Sequence, residues 1–108
     1  MKPIILISTT LESKTDAERI AGLLLDRKLI ACAQISGPMT SLYRWKGVIT
    51  SATEYALNLK TVPSCTEEVK VLLAKEHPYD LPEIIVQEIN NSSNEYSQWI
   101  YEEVRPCR

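Results

Sequence analysis

IACAQISGPMTSLYRWKGVITSATEYALNLKT, residues 30–61, is the stretch on which the fold turns. β-Branched and aromatic residues run through both halves, and Lys46-Gly47 between them supplies a turn. On the second arm Ile49, Tyr55, Leu57 and Leu59 share one alternating face, while Glu54, Asn58 and Lys60 share the other. The first arm, residues 30–45, is extended, and Gly37-Pro38 within it predicts a bulge or bend. Arms of roughly 15 residues exceed the ordinary strand of about 5 to 6, so the reading is a long, kinked hairpin.

On the N-terminal side, the apolar run at residues 4–8 predicts a short strand buried on both faces. Thr15 and Glu18 have capping-box spacing, and Ala17, Ile20, Ala21, Leu24 and Leu25 recur at helical intervals, predicting a helix that runs to Leu29. On the C-terminal side, Ser64 and Glu67 form a second such box. Cys65, Val69, Leu72 and Leu73 follow on one face, and Pro78 stops that helix near His77. Ile84, Ile85, Val86 and Ile89 predict a last strand after Pro82. A final helix begins near Asn94, with Tyr96, Trp99, Ile100 and Val104 on one stripe.

The order βαββαβ followed by α is the ferredoxin-like pattern of the α+β class, one domain over residues 1–108: an antiparallel sheet with two right-handed crossovers, extended by a C-terminal helix. The first and last strands are too short to cover the hairpin. Its bare edges, with Leu42, Tyr43, Leu57 and Leu59 in place of protecting charges, predict pairing between chains. A ring of three satisfies every edge by head-to-tail contact.

Twelve basic and fourteen acidic side chains leave a formal charge of -2, which excludes a field suited to nucleic acid or an anionic membrane. The apolar run near the start is too short for a signal core or a membrane span, and a cytoplasmic location is expected. Cys32, Cys65 and Cys107 form an odd set without a CxxC pair, so reduced thiols are expected.

Several stretches carry a resemblance: Ala31-Cys32-Ala33, Ser41-Leu42-Tyr43-Arg44-Trp45-Lys46-Gly47, Glu54 with Leu59-Lys60-Thr61, His77-Pro78-Tyr79-Asp80-Leu81-Pro82-Glu83-Ile84, and Tyr96 with Trp99-Ile100. In order and spacing they resemble the CutA-type divalent-cation tolerance proteins over essentially the whole chain. The resemblance implies a homotrimer joined through sheet edges, an architecture similar to the PII signalling proteins, no catalytic activity, and a role with copper or another divalent cation. Some members carry a cysteine on the first strand proposed as a copper ligand. The matching position here is Ser8, whose hard oxygen substitutes poorly for a thiolate toward Cu(I).

Candidate metal ligands are His77, Glu83 and Cys32. His77 and Glu83 are joined by a proline-bent segment that lets them converge on one ion. Alternatively, His77 places a cation at the negative end of its helix. Cys32 is either a soft-metal ligand or a small hydrophobe buried in a strand. Cys65 at a helix start is either a reactive thiol or part of the apolar stripe, and Cys107 near the end is read as frayed and without a role. Tyr43, Trp45, Tyr79, Tyr96 and Trp99, with Lys60 and Glu83, would line a cleft for a small polar ligand, or the aromatics fill cores and interfaces. Glu54 with Lys60 reads as an ion pair or as an acid and base. A lone histidine and three glycines supply neither a supported base nor a phosphate loop, so no enzyme is expected. Three functions compete: a trimeric metal-ion binder, a PII-like small-molecule sensor, and an interaction scaffold.

Overall fold

The computed structural model describes residues 2–107. Its strands are β1 (Ile4–Leu11), β2 (Cys32–Trp45), β3 (Val48–Thr61) and β4 (Ile85–Ile89), and its helices are α1 (Lys14–Asp26), α2 (Thr66–Glu76) and α3 (Asn94–Glu103). The sheet order is β2-β3-β1-β4 with every neighbour antiparallel, which is the expected ferredoxin-like topology with an added helix.

β1 is longer than expected and alternates. Ile5, Ile7, Thr9 and Leu11 pair across with Thr61, Leu59, Leu57 and Tyr55, and all but Tyr55 are buried. Ala17, Ile20 and Leu24 of α1 and Val69 and Leu73 of α2 close over this face. Each fully buried aliphatic side chain contributes about 1.5–3 kcal/mol.

The helix ends correct the sequence reading. α1 is capped by Ser13, whose extended backbone lets Oγ accept the Asp16 N–H at 3.1 Å, whereas Thr15 already lies inside the helix. The helix stops at Asp26 because Lys28 turns left-handed at φ 57°. The Lys28 and Leu29 amides then donate back to the Leu25 and Leu24 carbonyls. Ser64 caps nothing: it falls in a 3-10 turn, Pro63–Cys65, that leads into α2. α3 starts as expected, with the Ser93 side chain accepting the Tyr96 N–H.

Within β2 the expected irregularity is a bulge. From Ser36 to Met39 the chain advances three residues while β3 advances only two, from Ala56 to Glu54. The extra residue reverses side-chain parity. Cys32, Gln34 and Ser36 therefore share a face with Met39, Ser41, Tyr43 and Trp45, the face away from α1 and α2. Gly37, at φ 143°, is required here, since a Cβ would lie 2.9 Å from the Tyr55 ring and 3.0 Å from the Glu54 carbonyl oxygen.

Among the described residues β1 covers only Tyr55–Thr61 of β3, so the remainder of β3 pairs with β2 alone, and β2 has a single neighbour. On this overhang Leu42, Val48 and Ile49 are 71%, 64% and 69% exposed.

The thiols depart most from expectation. Cys65 and Cys107 form a disulfide across 42 residues, with Cα atoms 5.1 Å apart. Cys107 is not frayed, because the segment after α3 folds back: Val104 is buried and the Arg105 N–H donates to the Lys28 carbonyl at 2.8 Å. Cys65 does belong to the buried cluster.

Candidate functional site

Pro78 forbids α2 from continuing, and His77 leaves the helix in an extended conformation while its N–H still donates to the Leu73 carbonyl. The imidazole is buried between two backbone groups: Nε2 donates to the Thr10 carbonyl at 3.0 Å, and Nδ1 accepts the Tyr79 N–H at 3.1 Å. A carbonyl only accepts and an amide only donates, so these partners define the neutral Nε2–H tautomer. Burial pushes the His77 pKa below the ordinary value, against smaller upward pulls from the Thr10 carbonyl and from Glu54 and Asp16. The ring is thus a neutral brace, not a cation at the helix end, and neither nitrogen is left free.

What the brace holds is Tyr79, whose ring lies 4.8 Å from the imidazole and whose hydroxyl donates to Glu54 Oε2 at 2.7 Å. Glu54 is 6% exposed, although it sits on the sheet face away from α1 and α2. Desolvation first, and then the Glu54 carboxylate, raises the Tyr79 phenol above its usual range. The fixed loop at residues 79–83 faces the overhanging hairpin. Between them lies a groove of about 600 Å³ whose lining includes Tyr43, Trp45 and Tyr79 together with Glu12, Glu54, Asp80 and Glu83. Among the described residues no basic side chain lines it.

The sequence-derived cleft is therefore divided. Tyr43, Trp45, Tyr79 and Glu83 reach the groove, and Lys60, Tyr96 and Trp99 do not. Lys60 Nζ donates to Gln34 Oε1 at 3.2 Å and to the Tyr96 hydroxyl at 3.1 Å, lies 5.3 Å from that ring's centre, and Tyr96 stacks on Trp99 at 5.8 Å. Six residues of strand, about 20 Å, separate Glu54 from Lys60, so the expected ion pair does not form. Cys32 lies opposite Lys60, half-buried and not in the deep interior. Ser8 Oγ donates to Asn58 Oδ1 at 2.8 Å. Among the described residues no three His, Cys, Asp or Glu side chains are grouped to hold an ion.

Glu12, Thr10 and Ser41 were not singled out by sequence reasoning. Thr10 and Glu12 enter because β1 runs past residue 8, and Ser41 because the bulge turns it onto this face. The bulge was the one signal available.

A model of the CutA1 divalent ion tolerance protein family matches residues 5–103. The probable divalent-cation tolerance protein cutA homolog of Encephalitozoon cuniculi is 38% identical over 93% of this chain and 87% of its own. Crystallographic CutA1 from Ehrlichia chaffeensis superposes with a TM-score of 0.92 at 38% identity, covering 98% of this chain and 99% of that one. The structure described as the periplasmic divalent cation tolerance protein CutA of Archaeoglobus fulgidus gives 0.90 at 37% identity, covering 94% and 99%. With the matched segment running from β1 to the end of α3, the chain belongs to the CutA1 divalent ion tolerance family.

Proposed function

We propose that the protein serves divalent-cation tolerance as a cytoplasmic homotrimer, joined through the edges of the β2–β3 hairpin, whose acidic groove takes up copper or another divalent cation. The observation that carries the reading is the overhang. Among the described residues β2 offers a 14-residue edge with no second neighbour, beside exposed Leu42, Val48 and Ile49, and such an edge invites pairing with another chain. Four carboxylates and, among the described residues, no basic side chain in the groove favour a cation. In this reading Glu83 faces the ion, while His77 acts behind it by holding Tyr79. Cys32 lies at the other end of the hairpin and serves packing.

Light scattering over a dilution series tests the assembly: a mass three times that of the chain is expected, and a stable monomer overturns it. Calorimetry with Cu(I), Cu(II) and Zn(II) tests the ion, and silence for all three sinks metal uptake. The groove's size and its three aromatic side chains support a second reading, a PII-like sensor of a small polar molecule. A ligand-dependent rise in melting temperature of metal-free protein would favour it. The disulfide is of a kind that persists in oxidising compartments, so fractionation with thiol trapping tests the cytoplasmic location.

A further inference from the structure

We infer that Cys65 and Cys107, once reduced, form a two-thiolate site for a soft cation such as Cu(I), and that the disulfide between them is the closed state of that site. This goes beyond the groove reading, since the place, the donors and the hardness of the ion all differ.

Three features support it. The first is the leash. Arg105 is fixed through its N–H to the Lys28 carbonyl at 2.8 Å and through its guanidinium to Glu68 at 2.6 Å, so only Pro106 separates an anchored residue from Cys107. Breaking the S–S bond therefore leaves Cys107 beside Cys65 at high effective concentration. The second is spacing. Two metal–sulfur bonds of about 2.3 Å place the sulfurs at most about 4.6 Å apart. Side-chain rotation reaches that separation from backbones whose Cα atoms are 5.1 Å apart. The third is the surroundings. Cys65 is the N-cap of α2, where the helix end favours an anion, against Glu67 and Glu68 in the first turn, of which Glu68 is paired with the Arg105 guanidinium. Cys65 is fully buried among apolar residues and Cys107 is half-buried, so an ion held there is shielded while Cys107 admits reductant and metal. Thiolates select soft ions over Mg²⁺ or Ca²⁺.

The chemistry balances. A dithiol reductant gives up two electrons and two protons, becomes a cyclic disulfide, and leaves two cysteine thiols. Binding one Cu(I) then releases both thiol protons and forms two Cu–S bonds.

The experiment compares the whole protein before and after reduction with excess dithiol followed by desalting under argon. Each form is titrated with Cu(I) against a chromogenic chelator, alongside Cys107→Ser and Cys32→Ser. The proposal expects the reduced protein to take one Cu(I) per chain more than the oxidised protein, with that extra ion lost in Cys107→Ser and retained in Cys32→Ser. Equal binding by oxidised and reduced protein overturns it, as does loss in Cys32→Ser with retention in Cys107→Ser. A disulfide that resists excess dithiol in the folded protein also overturns it. The oxidised and reduced wild-type arms need no variant to fold. Because the groove contains neither cysteine, failure here leaves the groove reading standing, and Zn(II) binding by the oxidised form would report on the groove alone.

Discussion

Replacing Tyr79 by phenylalanine removes one oxygen and keeps the ring that packs beside His77. The lost bond is the 2.7 Å hydroxyl contact to Glu54, a residue only 6% exposed. A hydrogen bond to a charged group contributes about 1.5–3 kcal/mol, and a buried carboxylate stripped of its donor also bears an unmet desolvation cost of about 1–3 kcal/mol. The two figures describe one loss from two sides and are not summed, so Tyr79→Phe should cost about 2 kcal/mol. In a domain of this size about 1 kcal/mol corresponds to roughly 4–8 °C, and the drop should exceed 8 °C at fixed protein concentration. Glu54→Gln keeps the shape while removing the charge, and completing the cycle with the double variant isolates the pair. A coupling of at least about 1 kcal/mol is expected. A Tyr79→Phe protein that melts with the wild type, with coupling near zero, would refute the claim that this hydroxyl holds Glu54 beneath the groove. The Tyr79 phenol is raised in the fold above its ordinary value of 10.0, so its contribution is full below that pH and declines above it. The gap between wild type and variant should close in alkali.

His77 supplies a pH test of opposite sense. Its pKa is lowered by burial, so the unfolded chain binds more protons below 6.5, and stability should hold above that pH and fall beneath it. In His77→Gln that acid loss should shrink, and parallel pH curves for the two proteins would contradict a buried neutral ring. Gly37→Ala places a methyl 2.9 Å from the Tyr55 ring at φ 143°, and a loss of about 1–3 kcal/mol by denaturant titration is expected. An unchanged midpoint would mean that the bulge relaxes freely. Leu57→Pro removes a ladder donor at a fully buried position and should yield aggregate in size-exclusion chromatography, whereas a soluble folded monomer would contradict it.

Most of the fold was legible because its signals are local. Alternation in residues 48–61, the Lys46-Gly47 turn and the apolar stripes of three helices each declare themselves within a dozen residues. Helix starts were less legible, since Thr15 and Ser64 have the right neighbours, yet capping is decided by backbone angles. The disulfide was invisible, because Cys65 and Cys107 meet only when the segment after α3 folds back. Of the residues expected to share one cleft, Tyr43, Trp45, Tyr79 and Glu83 line the candidate groove, and Lys60, Tyr96 and Trp99 lie away from it. On so long a hairpin, residues a few positions apart can stand at opposite ends, and a single bulge inverts which of them share a face.

That bulge also explains why the groove lies where it does. Glu54 is the last residue of β3 before its register against β1 begins at Tyr55, and it pairs with Met39, the first β2 residue beyond the bulge. On one side of this point the hairpin is backed by β1 and α1; on the other it stands alone. A buried carboxylate at such a boundary requires a cover, and the Pro78 turn supplies one by delivering Tyr79, with His77 fixing the angle through Thr10 of the neighbouring strand. The groove wall formed by Tyr43 and Trp45 belongs to the overhang, while the floor and the opposite wall belong to the packed domain. In the trimeric reading, a neighbouring chain that steadies the overhang also sets the width of the groove. Assembly and ligand uptake then depend on the same 14-residue strand.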